Sequence, residues 1–142
     1  MLTAENDLAL IDSNLLVYLA DQTEQNKHRR ARDFFNGVYQ KPDHFAIAIQ
    51  NIREFASVMS AKKQMMPQKL DEFINTFFGF ENILFETQND ISKAISDCHQ
   101  LNTPFWDSLL AATMHRHGIT TIYTENVTDF KKLGLTVINP LK

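Results

Sequence analysis

The stretch Ala9-Leu10-Ile11-Asp12-Ser13-Asn14-Leu15-Leu16-Val17-Tyr18 decides how the rest of the chain is read. An apolar run of strand length carries Asp12 into a turn. A second apolar pattern, of helical period, starts directly after it, with Asn14 placed to cap the helix. Asp12 is thereby predicted at the carboxyl end of a first strand. Ligands of open α/β sheets bind along that edge, so a carboxylate there is a candidate for chemistry. Its weight depends on whether other carboxylates reach the same edge.

Outward from this stretch, helical and strand patterns alternate. Residues 8–11 predict a strand and 14–20 a short helix. Over 28–39 the apolar Ala31, Phe34, Phe35 and Val38 recur at helical spacing, opposite Arg29, Arg30, Arg32 and Asp33. Residues 45–49 form a short apolar run rich in β-formers, a second strand. Ile52, Phe55, Val58 and Met59 predict a helix over 50–63, with Glu54 in its first turns. Pro67 suits the first turn of a helix to Phe78, whose Leu70, Phe73, Ile74, Phe77 and Phe78 make a stripe for core or subunit interface. Residues 82–85 predict a third strand, and 89–101 a helix with Ile91, Ala94, Ile95 and Cys98 inward. A helix opening at Thr103-Pro104-Phe105-Trp106-Asp107 runs to His117 and Gly118, followed by a strand over 119–123, a turn over 124–130 and a strand over 135–138. Parallel strands need crossovers, so this order predicts an α/β fold with a parallel sheet and helices on both faces.

Composition narrows the function classes. The 142 residues suit one domain over 1–142, of ordinary globular composition at 44% hydrophobic and 22% charged. No apolar run approaches the roughly 20 residues of a membrane span, so no membrane partner is expected. Glu5 and Asp7 stand where an export signal would carry positive charge, which predicts a cytoplasmic protein. The one cysteine, Cys98, excludes an intrachain disulfide and a cysteine-based zinc site; it is read as a packed helix residue. The formal net charge of −3 gives no bulk nucleic-acid signature, although a local basic strip and a metal ion could serve an acidic site.

Three candidate acids follow strands at the carboxyl edge: Asp12, Glu54 and Asp129, the last with Glu125 beside it. Asp107 arrives from the opposite direction, and reaches this edge only if its helix packs with its N-terminus there. Four converging carboxylates repel, and a divalent cation relieves that repulsion. Oxygen ligands without cysteine or paired histidines select Mg²⁺ or Mn²⁺ over zinc. His115 and His117, two apart on a helix, do not face one another and are read as surface residues. There is no Ser-His-Asp set and no glycine-rich phosphate loop, so metal-assisted hydrolysis is the chemistry left.

The Asp-Ser-Asn after the first strand, Glu54, the Phe-Trp-Asp-Ser-Leu-Leu-Ala-Ala segment, the Thr-Glu-Asn-Val-Thr-Asp-Phe turn and the closing Val-Ile-Asn-Pro resemble the PIN domain, specifically toxins of the VapC type. The order and spacing of these pieces across the whole chain carry the resemblance. It implies a PIN-like three-layer α/β/α fold with a central, mostly parallel sheet of four to five strands. It also implies a Mg²⁺-dependent endoribonuclease acting on RNA such as tRNA or rRNA, usually a homodimer, paired with a VapB-like antitoxin. By position, Asp12, Glu54 and Asp107 match the family's first three acids and Asp129 its fourth, as metal-binding catalytic residues, with Mn²⁺ as the other candidate ion. Glu125 and Asn126 stand where a substitute for the fourth would lie. Asn14 and Thr124 match polar positions that orient the acids, a role Asn14 can combine with capping.

Arg53, beside Glu54, and Arg29 and Arg30 within the strip from His28 to Arg32 are candidate phosphate contacts, against the ordinary reading of a solvated helix face. Two other readings are weighed. In one, prompted by Asn126 and the acidic balance, the chain is a metal-poor PIN-fold module that sequesters a partner without cleavage. In the other it is a phosphatase or receiver-like protein, which fits poorly because Asn14 and Leu15 stand where a second acid and Gly or Thr are wanted.

Overall fold

The computed structural model describes residues 7–142. Glu5, used above against an export signal, lies outside them. At the centre of the sheet, β1 (Ala9–Ile11) pairs in parallel with β2 (Phe45–Ala48) on one side and β4 (Thr121–Tyr123) on the other. β3 (Asn82–Leu84) and β5 (Thr136–Ile138) extend it to the order β3-β2-β1-β4-β5, with every pairing parallel. The expected three-layer α/β/α fold is thus realised with five strands.

Alternation along the strands builds the two cores. Leu10, Ala46, Ala48 and Ile122 go to one face, where they meet Leu110, Met114 and Phe130. Ile11, Ile47 and Tyr123 go to the other, among Leu15, Phe35, Phe55 and Phe77. The second core is covered by α1 (Ser13–Ala20), α2 (Gln25–Gln40), α3 (Ile49–Ser57) and α4 (Pro67–Phe78). On the first lie α6 (Phe105–Arg116) and the short α7 (Val127–Lys132), with α5 (Gln88–Leu101) packed on α6. Among the described residues no helix is long and apolar enough to cross a membrane.

Several expectations need correction. The cap of α1 is Asp12, whose side chain accepts the Ser13 N–H; Asn14 lies inside the helix. A carboxylate is the better acceptor for the free N–H groups of a first turn, and it also satisfies the helix dipole. The helix expected over 50–63 is present, starting at Ile49 and widening into a π-helix over Val58–Lys62. The stretch after β4 is not all turn, since α7 begins at Val127. On α5, Ile91 and Ile95 are exposed, and the buried positions belong to Ala94 and Asp90. Asp90 is tied to its own cap through the Thr87 N–H and to Arg116 of α6. Of the α4 stripe, Phe78 is exposed while Phe77 is fully buried. His115 is not a surface residue: it is half-buried, its Nε2 3.0 Å from the Leu133 carbonyl.

Candidate active site

The carboxyl edge of the sheet delivers Asp12 from the end of β1, Glu54 from α3 after β2, and Thr124 from the end of β4. Asp107 reaches the same place because α6 packs with its first turn at this edge. Asp12, Ser13, Asn14, Glu54, Asp107 and Asn126 line one cleft of about 370 Å³. The acid that came from the wrong direction in sequence therefore joins the others.

Asp12 is the anchor, only 7% exposed. Its Oδ1 accepts from the Ser13 N–H at 2.8 Å and from Asn51 Nδ2 at 3.2 Å. Its Oδ2 accepts from Thr124 Oγ1 at 2.7 Å and Asn14 Nδ2 at 3.3 Å. Burial raises its pKa from 3.8 to about 6, against the opposing hydrogen bonds from Thr124 and Ser13, and the charges of Glu54 and Asp107 add to the rise. Asn14 Nδ2 also donates to Thr124 Oγ1 at 3.0 Å, and Asn14 Oδ1 accepts the Glu125 N–H at 3.3 Å. Asn14 and Thr124 thus form a bridge from α1 to the end of β4 that fixes Asp12 from one side.

Glu54 accepts from the Ser13 hydroxyl. Asp107 accepts from Asn126 Nδ2 at 2.9 Å. Partial burial raises Asp107 to about 6, the charge of Asp129 adds to this, Asn126 opposes it, and Glu54 contributes a smaller rise. Asp129, on α7, adds its charge to the rise at Asp107 and is not among the residues that line the cleft with Asp12. Glu125 faces elsewhere: its carboxylate accepts from Lys27 Nζ at 2.6 Å and from the Tyr18 hydroxyl at 3.3 Å. Of the basic candidates, Arg53 pairs with Glu86, and Arg29 bonds to Asn26 at 2.8 Å on the exposed face of α2. Arg30 is exposed on the same helix.

Three partners escaped the sequence reading. Asn51 is fully buried, its Oδ1 accepting the Ala48 N–H at 3.0 Å while its amide holds Asp12. Its signal was a polar residue four positions before Phe55, on the inward stripe of α3. Ser13 was hidden between two more conspicuous neighbours. Lys63 reaches the cleft wall and pairs with buried Asp21 at 2.9 Å. Burial would raise the Asp21 carboxyl, but bonds from Lys63 and Thr23 hold it below its usual value.

The donor set can be tested against a divalent cation. It is all oxygen, which suits Mg²⁺ or Mn²⁺. A carboxylate offers about four lone-pair sites, and four protein donors already occupy those of Asp12. Glu54 and Asp107 each accept one side-chain bond and have capacity left. Among the described residues no three His, Cys, Asp or Glu side chains stand close enough to enclose an ion by themselves. Mg²⁺ commonly keeps several waters and takes only one or two carboxylates, so these residues fit such an ion and do not form a closed cage.

No family model matches the chain, and no curated protein does. Solved structures do. The structure of FitAB bound to a DNA fragment has a chain of TM-score 0.75 at 15% identity, covering 95% of this chain and 96% of that one. VapC20 of Mycobacterium tuberculosis, described as a sarcin-ricin loop cleaving toxin, gives 0.73 at 14%, covering 90% and 96%. A toxin-antitoxin complex from Klebsiella pneumoniae gives 0.67 at 22%, covering 93% and 97%. The chain has the fold implied by its sequence resemblance, that of PIN-domain toxins of the VapC type.

Proposed function

We propose that the protein is a divalent-metal-dependent endoribonuclease, the toxin of a toxin–antitoxin pair. The observation that carries this reading is the buried Asp12 sharing a cleft with Glu54 and Asp107, where each charge opposes the ionisation of another. Such a set is relieved by a cation, and it lies on a fold shared with solved toxin structures. A bound Mg²⁺ or Mn²⁺ would supply an acidified water and charge to stabilise the leaving oxygen of a phosphodiester. The chain's own part is positional. Thr124, Asn14, Asn51 and Ser13 lock the Asp12 carboxylate, Ser13 turns Glu54 inward, and Asn126 aims Asp107. Glu54 and Asp107 would hold the ion, Asp12 adds charge beside it, and the charge of Asp129 adds to the repulsion that the ion relieves.

An antitoxin of the VapB type is the proposed partner, in keeping with neighbours that are toxin–antitoxin complexes. Exposed Ile91 and Ile95, one turn apart on α5, support a homodimer or partner face. Total RNA incubated with the purified protein and Mg²⁺ tests the activity, beside Asp12→Asn and Asp107→Asn variants. Cleavage is expected from the parent alone, and equal cleavage by the variants refutes the assignment.

One observation favours a second reading, a PIN-fold module that sequesters a partner without cutting: the absence of a closed cage among the described residues. Calorimetric titration with Mn²⁺ separates the two, since saturable uptake that Asp107→Asn abolishes rules out the inert module.

A further inference from the structure

Beside the carboxylate cleft lies a second one of about 430 Å³, within the roughly 300–1,000 Å³ that ligand pockets occupy. Glu54 belongs to the walls of both, so a strand leaving the first cleft past Glu54 enters the second. One wall of the second is Trp106, the residue before Asp107. Its side chain is 64% exposed, which core packing does not require of an indole.

The backbone beneath the ring is tied down, and the ring has one aromatic neighbour. Phe105 packs against it in a T-shaped pair, centroids 5.2 Å apart at 75°, and Gln50 Nε2 donates to the Trp106 backbone carbonyl at 2.8 Å, tying the first turn of α6 to α3. Arg53, paired with Glu86, and Lys62 line the same cleft, as does Glu54. An exposed aromatic face sharing a cleft with two cations is the pattern that binds single-stranded nucleic acid, the face taking a base and the cations the backbone. An apolar peptide would have no use for the cations.

We propose that Trp106 is a stacking platform for an unpaired nucleobase of the RNA, with Arg53 and Lys62 taking the adjoining phosphates. The inference rests on the nuclease reading and sharpens it, because only a loop, bulge or single strand can present an unstacked base beside the acids. Stacking tolerates any base, so the platform selects for strandedness more than for sequence.

The chain has one tryptophan, so its intrinsic emission reports this ring and no other. The parent is titrated, at low salt with Ca²⁺, with a mixed-sequence RNA octanucleotide and with the same strand annealed to its complement. The single strand is expected to quench and the duplex to leave emission unchanged. Trp106→Ala is expected to weaken single-strand binding, read by anisotropy of a labelled strand, about tenfold, and Trp106→Phe to stay within about threefold. The Ala variant should keep its melting temperature, since the ring is exposed.

A parent that cleaves total RNA yet shows no quenching and no loss in the Ala variant overturns the platform and leaves the activity standing. Equal quenching by the duplex overturns it as well. Emission that answers to a purified protein partner and not to RNA does the same. A parent that neither binds the strand nor cleaves total RNA overturns the platform together with the nuclease reading.

Discussion

Asp12→Asn should abolish cleavage while leaving the metal-free protein more stable at neutral pH. The Asp12 carboxyl sits at about 6 in the folded chain against 3.8 for the free group. At roughly 1.36 kcal/mol per pH unit, ionising it in place opposes folding by about 3 kcal/mol once the pH is well above 6. The sign follows from the raised value: the neutral carboxyl's contribution is fully present below 3.8 and is lost as pH rises through 6. About 2 kcal/mol of that loss develops between pH 4.5 and 7.5. The Asn side chain keeps an oxygen for the Ser13 N–H and the Asn51 amide, but puts an N–H where Thr124 and Asn14 now donate. Two weakened bonds cost about 1 kcal/mol each, partly recovered if the Thr124 hydroxyl turns to accept. The variant should therefore gain about 1 kcal/mol over the parent at pH 7.5 and fall below it at pH 4.5. Urea unfolding followed by far-ultraviolet circular dichroism, in EDTA at both pH values, measures this directly. A stability difference that does not change between the two pH values would refute the idea that burial of this charge sets its pKa. With Mn²⁺ at a hundred times its dissociation constant the parent should regain about 2.7 kcal/mol, and the variant little.

Three further outcomes are expected. Thr124→Val removes the shortest side-chain bond to Asp12 and should lower Mn²⁺ affinity or activity about 10–100-fold, read by calorimetry and by RNA cleavage. Arg116→Met leaves buried Asp90 without its guanidinium and should destabilise by about 1–3 kcal/mol at pH 7. Burial would raise the Asp90 carboxyl, but the Thr87 N–H and Arg116 hold it below 3.8, so its contribution is present above 3.8 and lost as pH falls through the lower value. The gap between Arg116→Met and parent should accordingly narrow in acid titration. Gly118 ends α6 at φ +71°, so Gly118→Ala should cost about 1 kcal/mol in thermal unfolding.

The parallel sheet was legible because each strand is bracketed by helical patterns, and crossovers leave parallel pairing as the answer. Asp107 was not placeable, since periodicity fixes which face of a helix is buried but not which way the helix runs across the sheet. Residues 127–132 escaped as a helix because six residues show less than two turns of any period. On α5 the pattern misled: Ile91 and Ile95 mark an apolar stripe, yet the fold turns Asp90 inward because Arg116 and the Thr87 N–H satisfy it there. Asn51 and Ser13 were missed for a related reason. A polar side chain whose partners lie far away in sequence looks like any other polar residue until the strands are assembled.

The place of β1 between β2 and β4 also bears on when the acid cluster can assemble during synthesis. Thr124 Oγ1, the shortest side-chain partner of Asp12, follows it by 112 positions. Asn126, which aims Asp107, comes later still. A chain on the ribosome can form the β1–β2 pair early and still hold no assembled acid cluster. The arrangement is complete only with β4 beside β1, so a chain truncated before that strand carries Asp12, Glu54 and Asp107 without Thr124 and Asn126 to hold them.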